Sequence, residues 1–208
     1  MSARPRNKLP EPRPENYHRD VRPKLRPGDL LLFRGSRWFS SLIESMERGE
    51  YSHSAVVLRW DSRVMIAQAE YPRLEAVPLS VAVKKYEGRV DWYPLKPDLN
   101  LDVARLTHEA TRLLGRPFAV WDLARVGFAH FFGRPIKKER RGDLAMFCSE
   151  YVAHCFDKAG SPVVAGDNPH AVTPDDLRKS PLHQYKSTIH WDASSQPLEA
   201  AVPLERVG

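Results

Sequence analysis

Two cysteines, Cys148 and Cys155, are the only thiols in the 208-residue chain, and both fall in the stretch "MFCSEYVAHC". A spacing of seven on a helix is about two turns, which puts both on one side but about 10 Å apart along the axis. That distance is too long for a disulfide and too long for both to bind one tetrahedral zinc. The two thiols therefore need separate explanations. "CSEYVAHCFDKAG" predicts a helix stopped at Gly160, with Tyr151, Val152, Cys155, Phe156 and Ala159 forming its apolar face. Cys155 falls mid-helix among apolar neighbours, where a thiol acts as a small inert hydrophobe. Cys148 falls in the first turn, where free backbone N–H groups and the helix dipole favour an anion and lower a thiol pKa. Simple burial of Cys148 is an equally good reading of the helix taken alone.

A nucleophilic thiolate needs a base, most often a histidine oriented by a third polar group. Of the eight histidines, His53 opens the apolar run "HSAVVL" and shares a strand face with Ala55 and Val57. The others fall in tail or loop sequence, on other helices, or close to Cys148 in sequence without a reason to face it. A histidine on an apolar strand face is more often a core residue than a catalyst. The expectation that the Cys148 helix packs on the same sheet raises its standing. A zinc site is the weakest reading, because His53, Cys148 and His154 lack ligand spacing.

The elements that must position these residues follow from pattern. "RPGDLLLFRG" predicts a turn and a buried strand over 29–34, and "SRWFSSLIESMERGE" a helix through Trp38, Leu42 and Met46. "SHSAVVLRW" and "RVMIAQAE", separated by "DS", predict a hairpin. A short helix near 79–86 and a strand in "RVDWYPL" follow. The second half is helical: Asn100 to Gly115, then "RPFAVWDLARVGFAHFFG", then the cysteine helix, then "TPDDLRKS" opening with a capping box and Pro174 at its first position. Strands followed by helices predict an α+β fold.

The formal net charge of +6 is uneven. Residues 1–27 carry eight Lys/Arg against three Asp/Glu, and the remainder 24 against 23. Six prolines in that first stretch predict an extended mobile arm, a site for an anionic partner or merely a solubilising leader. Residues 28–193 are expected to form one domain and 194–208 a weakly ordered tail. The nearly neutral body does not indicate a nucleic-acid partner for the core. No apolar run approaches a membrane span and no apolar segment follows the basic start, so a cytoplasmic protein is the default expectation.

In order along the chain, "PGDLLLF", "YSHSAVVL", "IAQAEYPRLEAVPL", "GRPF" and "FCSEYVAHCFDKAG" resemble the successive motifs of the permuted papain-like hydrolases. This NlpC-related group includes the YiiX-like amidases and, more remotely, the lecithin:retinol acyltransferase family. The resemblance covers about residues 27 to 160. It implies a circularly permuted papain-like domain, in which the histidine strand precedes the cysteine helix and an antiparallel sheet packs against that helix. It further implies Cys148 as nucleophile, His53 as general base and the Cys148 backbone N–H as oxyanion donor. Relatives carry a polar residue and then alanine on the next strand. Gln68 before Ala69 fits that pattern, while Glu70, on the same strand face, has the expected charge and is slightly favoured. Phe118 in "GRPF" stands where relatives tend to have tyrosine, so that hydroxyl is missing.

The function implied is a thiol hydrolase without a cofactor, cleaving an amide in a small peptide such as a cell-wall fragment. Lipid acyl or ester chemistry is the alternative within the family, and the basic run "RPIKKERR" would suit an anionic substrate. A binding module that kept the fold and lost turnover is the alternative outside it.

Overall fold

The computed structural model describes residues 10–35, 50–118, 146–164 and 172–192. Seven strands form one sheet: β1 (Pro14–Asn16), β2 (Leu30–Arg34), β3 (His53–Trp60), β4 (Arg63–Glu70), β5 (Arg73–Pro78), β6 (Arg89–Tyr93) and β7 (Ser187–His190). Their spatial order is β1-β7-β6-β2-β3-β4-β5. The β1 and β7 pair is parallel and the remaining pairs are antiparallel. Among the described residues four α-helices accompany them, α1 (Leu79–Lys85), α2 (Val103–Arg112), α3 (Cys148–Lys158) and α4 (Pro174–Arg178). The α+β architecture is as expected. The helices expected over 38–46 and after Pro117, and the loop "RPIKKERR", lie outside the described residues.

Alternation along the strands divides the core in two. Val56 and Leu58 of β3, with Met65, Ala67 and Ala69 of β4, form one face with Tyr151, Val152, Cys155 and Phe156 of α3. Ala55, Val57, Val64 and Ile66 form the other, covered by Leu79 and Val83 of α1 and by Tyr17, Val21 and Leu25. Tyr151, Val152 and Phe156 are fully buried, and burying each stabilises the α3 packing by roughly 1.5–3 kcal/mol. Tyr151 also donates to the Ala110 carbonyl at 2.7 Å, joining α3 to α2.

The cysteine helix ends at Gly160 with φ +75°, the left-handed stop that glycine provides. Helix α2 is capped by Asp102, whose side chain accepts from Arg105 N–H at 2.9 Å, rather than by Asn100. The capping box of α4 forms as read, Thr173 and Asp176 each bonding the other's backbone N–H. Gly28, at φ +91°, turns the chain into β2, and a Cβ there would lie 2.5 Å from Leu95 Cδ1. The following Asp29 is buried and accepts from Trp92 Nε1 and Leu95 N, pinning β2 to β6.

Within the first stretch, the described residues 10–27 depart from the expected extended, mobile arm. Residues 10–27 are packed, with β1 paired along β7 and a π-helical turn at Tyr17–Val21. Tyr17, Val21 and Leu25 recur every fourth residue and are 0–1% exposed. That spacing supplies an apolar stripe among the charges. Proline is accommodated because Pro14 opens a strand at the sheet edge, where a missing N–H is tolerated.

Candidate active site

Helix α3 begins where the sheet ends. Phe147 takes an extended conformation as its N-cap, and Glu150 reaches back to the Phe147 N–H at 3.5 Å. Ser149 Oγ donates to the Val172 carbonyl at 2.6 Å and ties the first turn to the segment before α4. Cys148, the first helical residue, is buried at 8% exposure, while Cys155 is fully buried.

His53 is the first residue of β3 and is half-buried. Its ring packs on Phe33 with centroids 5.2 Å apart, on the sheet face of Ala55 and Val57. Helix α3 packs on the opposite face of the same sheet, against Val56, Leu58, Met65 and Ala67. His53 is the first residue of β3 and Cys148 the first of α3. Each group shifts the other's titration there, Cys148 raising His53 and His53 lowering Cys148.

Gln68 contacts the imidazole, its Oε1 lying 3.0 Å from His53 Nε2. Glu70 does not touch the ring. Instead Gln68 Nε2 donates to Glu70 Oε2 at 2.8 Å and to Glu75 Oε1 at 3.0 Å. The polar residue two before Glu70 is thus the one that meets His53, and the charged one stands behind it. Glu75 was absent from the sequence reading. Its signal was the "EYPRLE" turn, which places Glu75 opposite Gln68 in the β4–β5 ladder.

Burial opposes charge on both groups, and their mutual interaction overcomes it. Desolvation pushes His53 down, but the Cys148 thiolate, the Gln68 bond and the Glu70 carboxylate raise it to about 9. Desolvation pushes the Cys148 thiol up, yet His53 and the neighbouring Ser54 hold it below its ordinary value. Of Ser54, the backbone N–H and then the buried hydroxyl lower the thiol. Cys155 is driven the other way: burial, then the Glu109 charge, raises its thiol well above the usual range. The site therefore favours a thiolate–imidazolium pair at Cys148 and an inert thiol at Cys155. Phe118 lies beside this helix start, bridged to Met146 and with its ring 6.5 Å from that of Phe147. It has no hydroxyl to add.

No family model and no curated protein matches the sequence. Among solved structures there is a match. The chain is similar in fold to YiiX. The crystal structure of metalloprotein YiiX from Escherichia coli O157:H7, DUF1105, superposes with a TM-score of 0.59 at 17% identity, covering 80% of this chain and 98% of that one. YiiX is called a metalloprotein, so the donor set here bears examination. Among the described residues no group of three or more His, Cys, Asp or Glu side chains converges to hold a metal ion. Cys148 and His53 supply two donors, and the next group on the ring is a neutral amide whose N–H bonds go to carboxylates. The described residues do not fit a metal centre at this site. Among them, too, no helix is long and apolar enough to cross a membrane.

Proposed function

We propose that the protein is a cysteine hydrolase of the amidase or peptidase type, built on a circularly permuted papain-like domain. The observation that carries this reading is one line of side chains at the end of β3: a helix N-terminal thiol, a histidine, and an amide on the histidine's far nitrogen. With Nε2 engaged by Gln68, Nδ1 is the nitrogen left for the thiol.

In this reading the Cys148 thiolate attacks the acyl carbon of an amide, and the carbonyl π pair moves onto oxygen. The Cys148 backbone N–H, free in the first helical turn, donates to that oxyanion. As the oxyanion collapses the C–N bond breaks, and imidazolium His53 gives its proton to the leaving amine. The acyl-thioester is then hydrolysed: neutral His53 takes a proton from water, hydroxide adds to the thioester carbon, and the thiolate departs to leave a carboxylic acid. The substrate proposed is a small peptide such as a cell-wall fragment.

An acyl-directed thiol probe applied to the folded protein, followed by peptide mapping, tests this. Label on the Cys148 peptide alone, with loss of label in Cys148→Ala, is the expected result. A folded protein that takes no label, or takes it equally at Cys155, would leave a scaffold without turnover.

A further inference from the structure

Gln68 can present either end of its amide to His53, and the two ends have opposite consequences. With Oε1 toward the ring, Nε2 of His53 must carry a proton and Nδ1 is left to exchange with Cys148. With the NH2 end toward the ring, Nε2 must accept, and an imidazolium there meets donor against donor. Two carboxylates decide between these. Glu75 faces Gln68 across the β4–β5 ladder, and Glu70 lies two residues along β4 on the same face. Both take a hydrogen bond from Gln68 Nε2, at 3.0 and 2.8 Å. A carboxylate near neutral pH only accepts, so the reversed amide would aim its oxygen at two acceptors.

We infer that Glu70 and Glu75 are positioning residues, which clamp the NH2 of Gln68 so that its Oε1 holds a proton on His53 Nε2 and reserves Nδ1 for Cys148. The inference rests on the reading of Cys148 and His53 as nucleophile and base. It assigns Glu70 a part different from that of a direct partner of histidine, and it gives Glu75 one where the sequence alone assigned none. Neither carboxylate touches the reacting atoms. They act through the amide, by hydrogen-bond polarity more than by charge.

The test separates acceptor from charge and needs no substrate. In Glu70→Gln with Glu75→Gln, each new side chain still offers a carbonyl oxygen to Gln68 but has no charge. In Glu70→Leu with Glu75→Leu, charge and acceptor are both lost. Iodoacetamide alkylation of Cys148 is followed by peptide mapping from pH 5 to 10 (about the span of a perturbed thiol), with each variant's folding checked by melting. The glutamine pair is expected to stay within about threefold of the unaltered protein at pH about 6.5. The leucine pair is expected to lose about tenfold there, as its reactive step moves up by about one pH unit toward the free-thiol value. If the leucine pair does not fold, Glu75→Leu alone is read the same way, with a loss of more than threefold expected. A leucine variant with an unchanged profile overturns the clamp, and so does a glutamine pair that falls as far as the leucine pair. If the unaltered protein itself titrates like a free thiol, near about 8.5, the nucleophile reading falls first. The two failures are therefore distinct.

Discussion

His53 Nε2 lies 3.0 Å from Gln68 Oε1, and the Glu70 carboxylate lies behind that amide on its Nε2. The group directly on the proposed base is therefore neutral. Gln68→Ala is expected to lower turnover more than Glu70→Ala does, on the order of 10²-fold, because it frees the ring from its reactive orientation. Comparing kcat/KM for the two variants on one amide substrate decides it. An equal or larger loss in Glu70→Ala would return the orienting part to the carboxylate.

The pH profile should be bell-shaped, with two limits of opposite origin. Activity requires Cys148 deprotonated, and its thiol is held below the ordinary value, so the acid limb falls below about 8.5. Activity also requires His53 protonated for the leaving group. That group is raised to about 9, so activity is lost as pH rises through that value. The limbs belong to the coupled pair rather than to either residue alone. A profile with a single rising limb near the free-thiol value would contradict the ion pair.

The two cysteines should separate cleanly under substitution. Cys148→Ser is expected to abolish turnover with little change in melting temperature. Cys155 is fully buried among the α3 core residues. Cys155→Ser therefore places a hydroxyl in apolar packing, at a cost of about 1–3 kcal/mol, and leaves turnover largely intact. Denaturant unfolding and turnover of both variants give the comparison.

Removing the first 26 residues, so that the chain begins at Pro27, is expected to destabilise the fold. It strips away Tyr17, Val21 and Leu25, which cover the second face of the sheet, and it unpairs β1 from β7. Each lost side chain is worth roughly 1.5–3 kcal/mol. A fall in melting temperature of about 10 °C or more follows for a chain of this size. An unchanged melting temperature would show that the segment adds nothing to stability.

His183 gives an acid-side signature. It is buried with Nε2 donating to the Gly28 carbonyl at 2.9 Å and Nδ1 against Ser180 Oγ at 3.2 Å. Burial lowers it to about 4. Between that value and the unfolded one of about 6.5, the unfolded chain binds the extra proton. Stability is therefore lost as pH falls through this window, up to about 3 kcal/mol from this group. Unfolding free energy of His183→Gln, which cannot titrate, should fall less steeply from pH 7 to 4.5 (about the span named above).

Much of this was legible because local signals act locally. The β3–β4 hairpin, the strands after Asp29 and Arg89, and the cysteine helix with its Gly160 stop each follow from periodicity within a dozen residues. The contrast between Cys148 and Cys155 is also local, since a helix exposes N–H groups at its start and satisfies them two turns on. β5 and β7 gave weaker signals. In β5 Leu74 is buried between an exposed Arg73 and half-buried residues, without alternation, and β7 is four residues long.

What the chain determined by itself was which residue types stand at a helix start and a strand start. Charge and proline in the first stretch masked the four-residue spacing of Tyr17, Val21 and Leu25, whose burial depends on a sheet face assembled from distant strands. The tertiary structure alone decided that the first residue of β3 and the first residue of α3 lie close enough to shift each other's titration. It also decided that Gln68, not Glu70, meets the ring. Both residues lie on one side of β4, and alternation cannot rank them. The ranking comes from the cross-strand partner: pairing Gln68 with Glu75 sets two acceptors against one amide and turns its oxygen toward the histidine. Register between strands is a non-local quantity, and a hydrogen bond's direction depends on every group within about 3 Å of it.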